Sequence, residues 1–379
     1  MKIEVFEMER MQSTWENVVD FDMSESGVLP VTLREMTELG FDLERALDTP
    51  LTYSQSNGTP ELREALSKVY PGSGPDNFEV TNGTSEANYL AALSQLREGD
   101  EFALEVPNYM QLWGVPRSLG AKVNRFHLRP DRGWEPDWDE FEQAVNPRTR
   151  MVYVSNPNNP TGAVLGEESM RRIVERCDEM DAWLIADEVY LGAEIEADRT
   201  QSFWGMSDRV IVTSGLSKAY GIPGVRIGWI VGPEDLVADT WSQHDSLTIC
   251  PSKLSDALAC IAVRQENRDR LYARGRQLLQ RSLASFSRWV EDLGEGFSFV
   301  PPTAGAIGFV RYASSTPSLE LCQQILRNQS TLVVPGIHFG LEGYLRIWLG
   351  ARPEYMAEGL ARLRAELQAG GLVAAAAGA

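Results

Sequence analysis

Histidine is nearly absent from this chain. His127, His244 and His338 stand far apart with no H-E-x-x-H or comparable cluster, which excludes a histidine-rich metal site. Each reads as a structural histidine. Cysteine is scarce as well: Cys177, Cys250, Cys260 and Cys322 show no C-x-x-C spacing. Neither a zinc knuckle nor a disulfide scaffold is indicated, and a reducing, cytoplasmic setting fits. Positive charge is in deficit, with 35 Lys+Arg against 54 Asp+Glu and a net charge of −19. That balance repels a phosphate backbone and an anionic bilayer, so neither nucleic acid nor membrane is expected as a partner. No apolar run reaches the ~18 residues a membrane span needs. The amino-terminal stretch lacks an apolar h-region and a small-residue cleavage site, so the chain reads as neither secreted nor membrane-spanning. Repeats are missing, and the one low-complexity stretch, LVAAAAGA at Leu372 to Ala379, reads as the frayed end or cap of a last helix.

What remains is ordinary globular material. The 379 residues are 43% hydrophobic and 23% charged, enough for two or three units at roughly 150 residues each. Between about Phe78 and Val231, the apolar runs FEVTNG, EFALEVP, RMVYVSNP, AWLIADEVY, RVIVTSG and VRIGWIVG alternate with amphipathic stretches. Ser85 to Leu96 and Glu167 to Met180 space their apolar residues three and four apart, as helices do. The rhythm predicts an α/β fold, a mostly parallel central sheet buried on both faces by helices. Beyond Pro251 a long helical pattern gives way to short strand patterns, GFSFV, GAIGFVRY and YLRIWLG, and a final helix. This predicts a smaller α+β domain, built from 1–44 and 266–379, beside a large domain over 45–265.

In open α/β sheets, ligands bind outside the carboxyl ends of the strands, and four of those ends carry unusual residues. FEV runs into Thr81-Asn82-Gly83-Thr84-Ser85-Glu86 and opens a helix. That is either an anion cup or an ordinary helix start capped by Thr84 or Ser85. Asp187 follows a buried run in AWLIADEVY; a carboxylate there needs a cationic partner unless it merely caps the next turn. RVIVTSG leads to Leu216-Ser217-Lys218, bringing a lysine to the same edge, where low polarity can turn a surface-type ammonium into a nucleophile. Arg226, eight residues on, could grip an anionic oxygen. In RMVYVSNPNNPTG, two Asn-Pro dipeptides and a glycine force a tight turn that fixes Asn159.

Taken together, N-P-N-N-P-T-G (156–162), D-E-V-Y (187–190) and S-K-A-Y-G-I-P-G-V-R-I-G (217–228) resemble the class I/II aminotransferase family, the fold-type I pyridoxal 5′-phosphate enzymes. The resemblance runs from about Tyr53 to the final helix. It implies pyridoxal phosphate as cofactor, Lys218 as the Schiff-base lysine and proton shuttle, and Asp187 on the pyridine nitrogen. Asn159 and Tyr190 would bond the ring's phenolic oxygen, Tyr109 would stack on the ring, and Arg226 with Gly83, Thr84, Ser85 and Ser217 would hold the phosphate. Arg346 in Y-L-R-I-W-L-G would clamp the substrate α-carboxylate, with Gly27 near the substrate. Tyr53 would reach the phosphate of a neighbouring subunit, implying a homodimer with shared sites.

Two departures are visible. Many members carry a phosphate-binding serine three residues before the lysine, where this chain has Gly215, leaving Ser214 or Ser217 as substitutes. The segment D-F-D-M-S-E-S-G-V-L-P, which would fold over the substrate, lacks a standard family motif. Its carboxylates, with Glu16 (Glu16, Asp20, Asp22, Glu25), could meet a basic side chain but read first as a solvated acidic face. The expected function is an amino-acid aminotransferase acting on an amino acid and a 2-oxo acid; the alternative is a lyase, decarboxylase or cyclase of the same fold. A cofactor-sensing regulator would need a DNA-binding segment, and a nicotinamide dehydrogenase a G-x-G-x-x-G after a strand; neither is found.

Overall fold

The computed structural model describes residues 2–196 and 199–373. The end of the Ala-rich tail, 374–379, lies outside them. An eight-stranded sheet forms the centre, in the order Phe78–Thr81, Gly228–Val231, Val210–Gly215, Trp183–Asp187, Thr149–Ser155, Glu101–Val106, Lys122–Arg129, Glu135–Pro136. From Val210–Gly215 to Lys122–Arg129 the five strands pair in parallel, while Gly228–Val231 runs antiparallel to both its neighbours. All six apolar runs are strands, and their side chains are buried on both faces, as flat hydrophobic runs require. Lys122–Arg129 escapes that signal because it lies towards the sheet edge and half of it is polar and partly exposed.

Helices cover the sheet where the period predicts. In Glu167–Glu179 the buried residues are Met170, Ile173, Val174 and Cys177, spaced three and four apart on one stripe. Helix Thr84–Gln95 starts on Gly83, at φ +93°, with no side chain capping it. The expectation of Thr84 or Ser85 as N-cap is therefore corrected: both lie inside the first turn, so its N–H groups keep facing the end of the sheet.

A second, four-stranded antiparallel sheet follows the order Phe297–Phe299, Ile307–Tyr312, Tyr344–Trp348, Val334–Pro335. The amino-terminal segment docks here: Phe21–Asp22 pairs in parallel with Thr331–Leu332, and Met23 bonds Leu332 and Trp348 through its backbone. The long helical pattern after Pro251 breaks at Val263–Arg264 into Lys253–Ala262 and the 27-residue helix Gln265–Glu291. That long helix serves both cores, giving Leu271 and Tyr272 to the large sheet and Leu279, Phe286 and Val290 to the small one. All four cysteines are unpaired, and among the described residues no helix is long and apolar enough to cross a membrane.

Phe286 is fully buried, stacks on Trp289 at 5.6 Å and meets Phe299 edge-on at 5.4 Å. Its ring also occupies the space a side chain on Gly308 would need. Phe286→Ala is expected to cost about 3–5 kcal/mol, seen as a lowered unfolding midpoint in urea; an unchanged midpoint would contradict this packing.

Candidate active site

The carboxyl ends of the central strands open into a cavity of 420 Å³. Lys218, Asp187, Tyr190, Asn159, Tyr109, Thr84, Ser85, Ser217, Arg226 and Arg346 all line it, so residues spread over more than 260 positions meet in one place. Gly83 lies at its rim, where a side chain would overlap the Arg226 guanidinium. Two expected residues stand elsewhere. Gly27 is buried behind Lys218, where a Cβ would come within 3.0 Å of the Ser217 carbonyl, and its own carbonyl accepts from Trp348 Nε1 at 2.6 Å. Tyr53 is 81% exposed and outside the cavity.

Asp187 closes its strand and is held from three sides. Asn88 Nδ2 and Tyr153 Oη donate to Oδ2 at 2.9 and 3.1 Å, and the Val189 N–H donates to Oδ1 at 3.1 Å. Thr213 in turn donates to Asn88 at 2.6 Å, fixing the amide's orientation. Burial pushes the Asp187 carboxyl above its ordinary value despite these donors and Lys218, so the site stores a carboxylate that a cation would relieve. Asn88 and Tyr153 escaped the sequence reading, although Asn88 lies four residues after Thr84 and so shares its helix face.

The Asn-Pro turn is anchored from below by Glu105, which is buried and pushed up to about 8 by that burial. It accepts from Asn108 Nδ2, the Ser155 N–H and Asn158 Nδ2. Asn159 thereby projects into the cavity, where its Oδ1 accepts from Arg346 Nη1 at 3.1 Å. Arg346 is 1% exposed, lies 5.0 Å over the Phe339 ring, donates to the Ser24 carbonyl and leaves Nε without a partner.

Gly215 leaves no gap in the anion cup. A Cβ there would come within 2.6 Å of Thr84 Oγ1, so the threonine hydroxyl fills the space a serine would use. Thr84 Oγ1 is buried with no partner, as is the Tyr190 hydroxyl. Ser214 donates to the Glu188 carbonyl at 3.2 Å and does not line the cavity, whereas Ser217 lines it and accepts from Arg226 Nη1 at 3.3 Å. Orphaned hydroxyls, an open helix start, an arginine and a buried carboxylate opposite them suit a phosphorylated ring with a protonatable nitrogen. Pyridoxal 5′-phosphate fits this set.

The acidic segment does not read as the sequence suggested. Asp20 is exposed and pairs with Arg362 at 3.5 Å, and Asp22 accepts from the Ser24 hydroxyl and N–H. Glu16 and Glu25, however, line the cavity, joined by Glu9 from the helix Glu7–Trp15. Glu25 Oε2 lies 3.7 Å from Lys218 Nζ, and that ammonium draws the carboxyl down to about 2. Burial lowers the Lys218 amine, but Glu25 and Tyr190 outweigh it and hold the amine above its ordinary value. Glu16 is raised by burial and by repulsion from Asp22, Glu25 and Glu9. Glu9 also accepts from the Tyr109 hydroxyl at 2.9 Å. The location of Glu9 could not be seen in the sequence, because nothing there tells which wall a short amino-terminal helix joins.

The profile described as "Aminotransferase class I and II" matches residues 16–363. The chain belongs to that family. Its members and solved neighbours depend on pyridoxal phosphate, and the cavity's residues suit that cofactor. Capreomycidine synthase of Streptomyces vinaceus is 33% identical over 355 residues, covering 91% of this chain and 89% of that protein. A pyridoxal-phosphate-dependent aminotransferase from Streptococcus suis superposes with a TM-score of 0.90 at 30% identity, over 97% of this chain and 99% of its own. The pyridoxal-phosphate-dependent cyclase OrfR superposes with a TM-score of 0.88 at 26% identity, over 97% of this chain and 98% of its own. Solved structures named as an aminotransferase and as a cyclase thus both superpose on nearly the whole chain.

Thr84→Val keeps the shape and removes the orphaned hydroxyl. Cofactor affinity, measured by titrating apoprotein, should fall about tenfold or more, the scale of a hydrogen bond to a charged group. An unchanged affinity would remove Thr84 from the cup.

Proposed function

We propose that the protein is a pyridoxal-phosphate-dependent enzyme that works at Cα and the side chain of an α-amino acid carrying a cationic side chain. The preferred outcome is elimination with ring closure over amino-group exchange. The acidic wall of Glu9, Glu16 and Glu25 facing Arg346 carries this reading. A guanidinium or ammonium group would neutralise that wall, while a dicarboxylate, a common amino acceptor, would be repelled by it. Transamination with another acceptor is the second reading, supported by the family and the Streptococcus suis neighbour. OrfR, named a cyclase, supports the first.

The cofactor, when bound, supplies an aldehyde for the amine and a ring that withdraws electrons from Cα. Each remaining task falls to the chain. Arg346 grips the α-carboxylate through Nε and one face of its fork, while Asn159 and Ser24 hold the guanidinium still. Lys218, once free, takes the α-proton, and Glu25 at 3.7 Å stabilises the ammonium that results. Asp187, fixed by Asn88 and Tyr153, would keep a proton on the ring nitrogen. With the cofactor bound, Asn159 and Tyr190 would donate to the ring's phenolic oxygen, Tyr109 would cover the ring, and Arg226, Ser217, Thr84, Ser85 and the Gly83 turn would hold the phosphate. A hydroxyl on Cβ would then leave as water with the proton Lys218 took, the side-chain nitrogen beside the acidic wall would bond Cβ in its place, and the proton that nitrogen gives up would return to Cα, so one water is lost overall.

The same reading includes a cytoplasmic homodimer in which Tyr53 reaches the partner's cup. Exposed Leu47, Leu51, Tyr53, Leu247 and Ile249 supply the apolar surface a second copy would cover. It also divides the chain into domains at about 45 and 265, the small one including the amino-terminal segment.

Basic amino acids, with and without a hydroxyl on Cβ, should alter the visible spectrum of the loaded enzyme, while aspartate and glutamate should not. Glu16→Gln and Glu25→Gln should each raise KM for the basic substrate about tenfold. Mass spectrometry should find a product lacking the Cβ group without stoichiometric 2-oxo acid. Stoichiometric 2-oxo acid would establish the second reading, and a preference for dicarboxylates would overturn the substrate class. Lys218→Ala should lose the visible band that borohydride removes from the wild type; a band that survives moves the nucleophile elsewhere.

A further inference from the structure

Behind the phosphate end of the site lies a buried polar cluster that the chemistry above does not use. His244 is the last residue of helix Glu234–His244 and its side chain is wholly buried. Its Nδ1 lies 2.5 Å from Glu79 Oε1, on the strand Phe78–Thr81. Its Nε2 lies 2.9 Å from Thr248 Oγ1 and 3.3 Å from Glu86 Oε2. The Thr248 hydroxyl donates to Glu86 Oε1 at 2.8 Å, so its proton is committed and it can only accept from the histidine. Both ring nitrogens therefore face acceptors, and the geometry is that of an imidazolium; burial pushes Glu79 up to about 7 and leaves its Oε2 without a partner, whereas Glu86 is held down to about 2, so of the two carboxyls Glu86 is the one that keeps the negative charge. The carboxyl-terminal end of a helix favours the same charge. Burial opposes it, but Glu79 and Glu86 together hold the imidazole above its ordinary value. Asp245, next in the chain, is the remaining acidic neighbour.

Glu86 is what links this cluster to the cofactor. Its Oε2 accepts from the Asn82 N–H at 2.6 Å and from Asn82 Nδ2 at 3.2 Å. The carbonyl of the same Asn82 accepts from Arg226 Nη2 at 3.3 Å. One residue, through the peptide groups on its two sides, thus joins Glu86 to the phosphate-gripping arginine, directly before Gly83. The arrangement has an electrostatic problem. A carboxylate in the first turn of this helix steadies the turn, yet it also stands beside the place where a phosphate dianion is to bind.

We propose that His244 is a positioning residue for the phosphate end of the cofactor: its buried positive charge neutralises Glu86, which can then hold the Asn82–Gly83 turn without repelling the phosphate. The inference rests on the phosphate lying at that turn, as in the function proposed above.

The test compares two probes on apoprotein, pyridoxal 5′-phosphate and pyridoxal, which differ only in the phosphate. His244→Asn should weaken the phosphorylated ligand about tenfold or more, as expected when a largely buried charge is left uncompensated, and leave pyridoxal within about twofold. Adding Glu86→Gln to His244→Asn should recover most of the lost preference, because the unbalanced charge is gone. Equal weakening of both ligands, weakening of neither, or a double variant no better than the single would overturn the proposal. Should His244→Asn fail to fold, Glu86→Gln alone is expected to keep or raise the wild-type preference for the phosphorylated ligand, and a lowered preference overturns it. Arg226→Met separates the two levels of the argument. If it leaves the preference intact, the phosphate lies elsewhere and the cup assignment fails; if it abolishes the preference while His244→Asn does not, only the role of His244 fails.

Discussion

A buried carboxylate at the end of a central strand sets the terms for everything around it. Asp187 has no arginine beside it; it is held by an amide, a phenol and a backbone N–H, none of which carries charge. Neutral donors orient an anion but do not balance it. In the proposed function, that balance would come from a ligand that brings its own proton to a nitrogen facing Asp187, adding to the more distant charge of Lys218. The same logic applies elsewhere in the cavity, where Thr84 and Tyr190 keep buried hydroxyls without partners. Asp187 and the Asn-Pro turn are held in place through Thr213, Asn88, Glu105 and Asn158, by contacts away from the cavity centre.

The cavity is polarised along its length. Arg226, Ser217 and the helix start make one end receptive to a dianion. Arg346 offers a second anion site, and Glu9, Glu16 and Glu25 form a wall of opposite sign beside it. In the proposed function, a substrate with a carboxylate and a distant cation would fit this pattern in a single orientation. Glu25 also ties the substrate wall to the catalytic amine, since it accepts from the Ser26 and Gly27 N–H groups while facing Lys218. Any shift of the amino-terminal segment therefore changes the field at the lysine.

Much of this was legible in the sequence because the physics is local. Strands buried on both faces read as flat apolar runs, and ten cavity-lining residues sit at or just after motifs of fixed spacing. What escaped depends on chain segments meeting in space. Asn88 and Tyr153 look like ordinary helix and strand residues until Asp187 is placed between them. Gly215 reads as a missing donor, and only the approach of Thr84 from another helix shows the space to be filled. Glu16 and Glu25 look like solvated acids because charge is the normal sign of a surface; Phe21–Asp22 pairing with Thr331–Leu332 is what turns the segment inward. Lys122–Arg129 lacks the run signal since a strand near the edge need not be apolar.

Helix Gln265–Glu291 has a consequence for how the molecule comes apart. Its first third seals the core of the large sheet and its remainder the core of the small one, with an unbroken ladder of backbone hydrogen bonds between. Neither core can lose its share of this helix without fraying the other's, so the two halves are coupled into one cooperative unit, and heat melts them together.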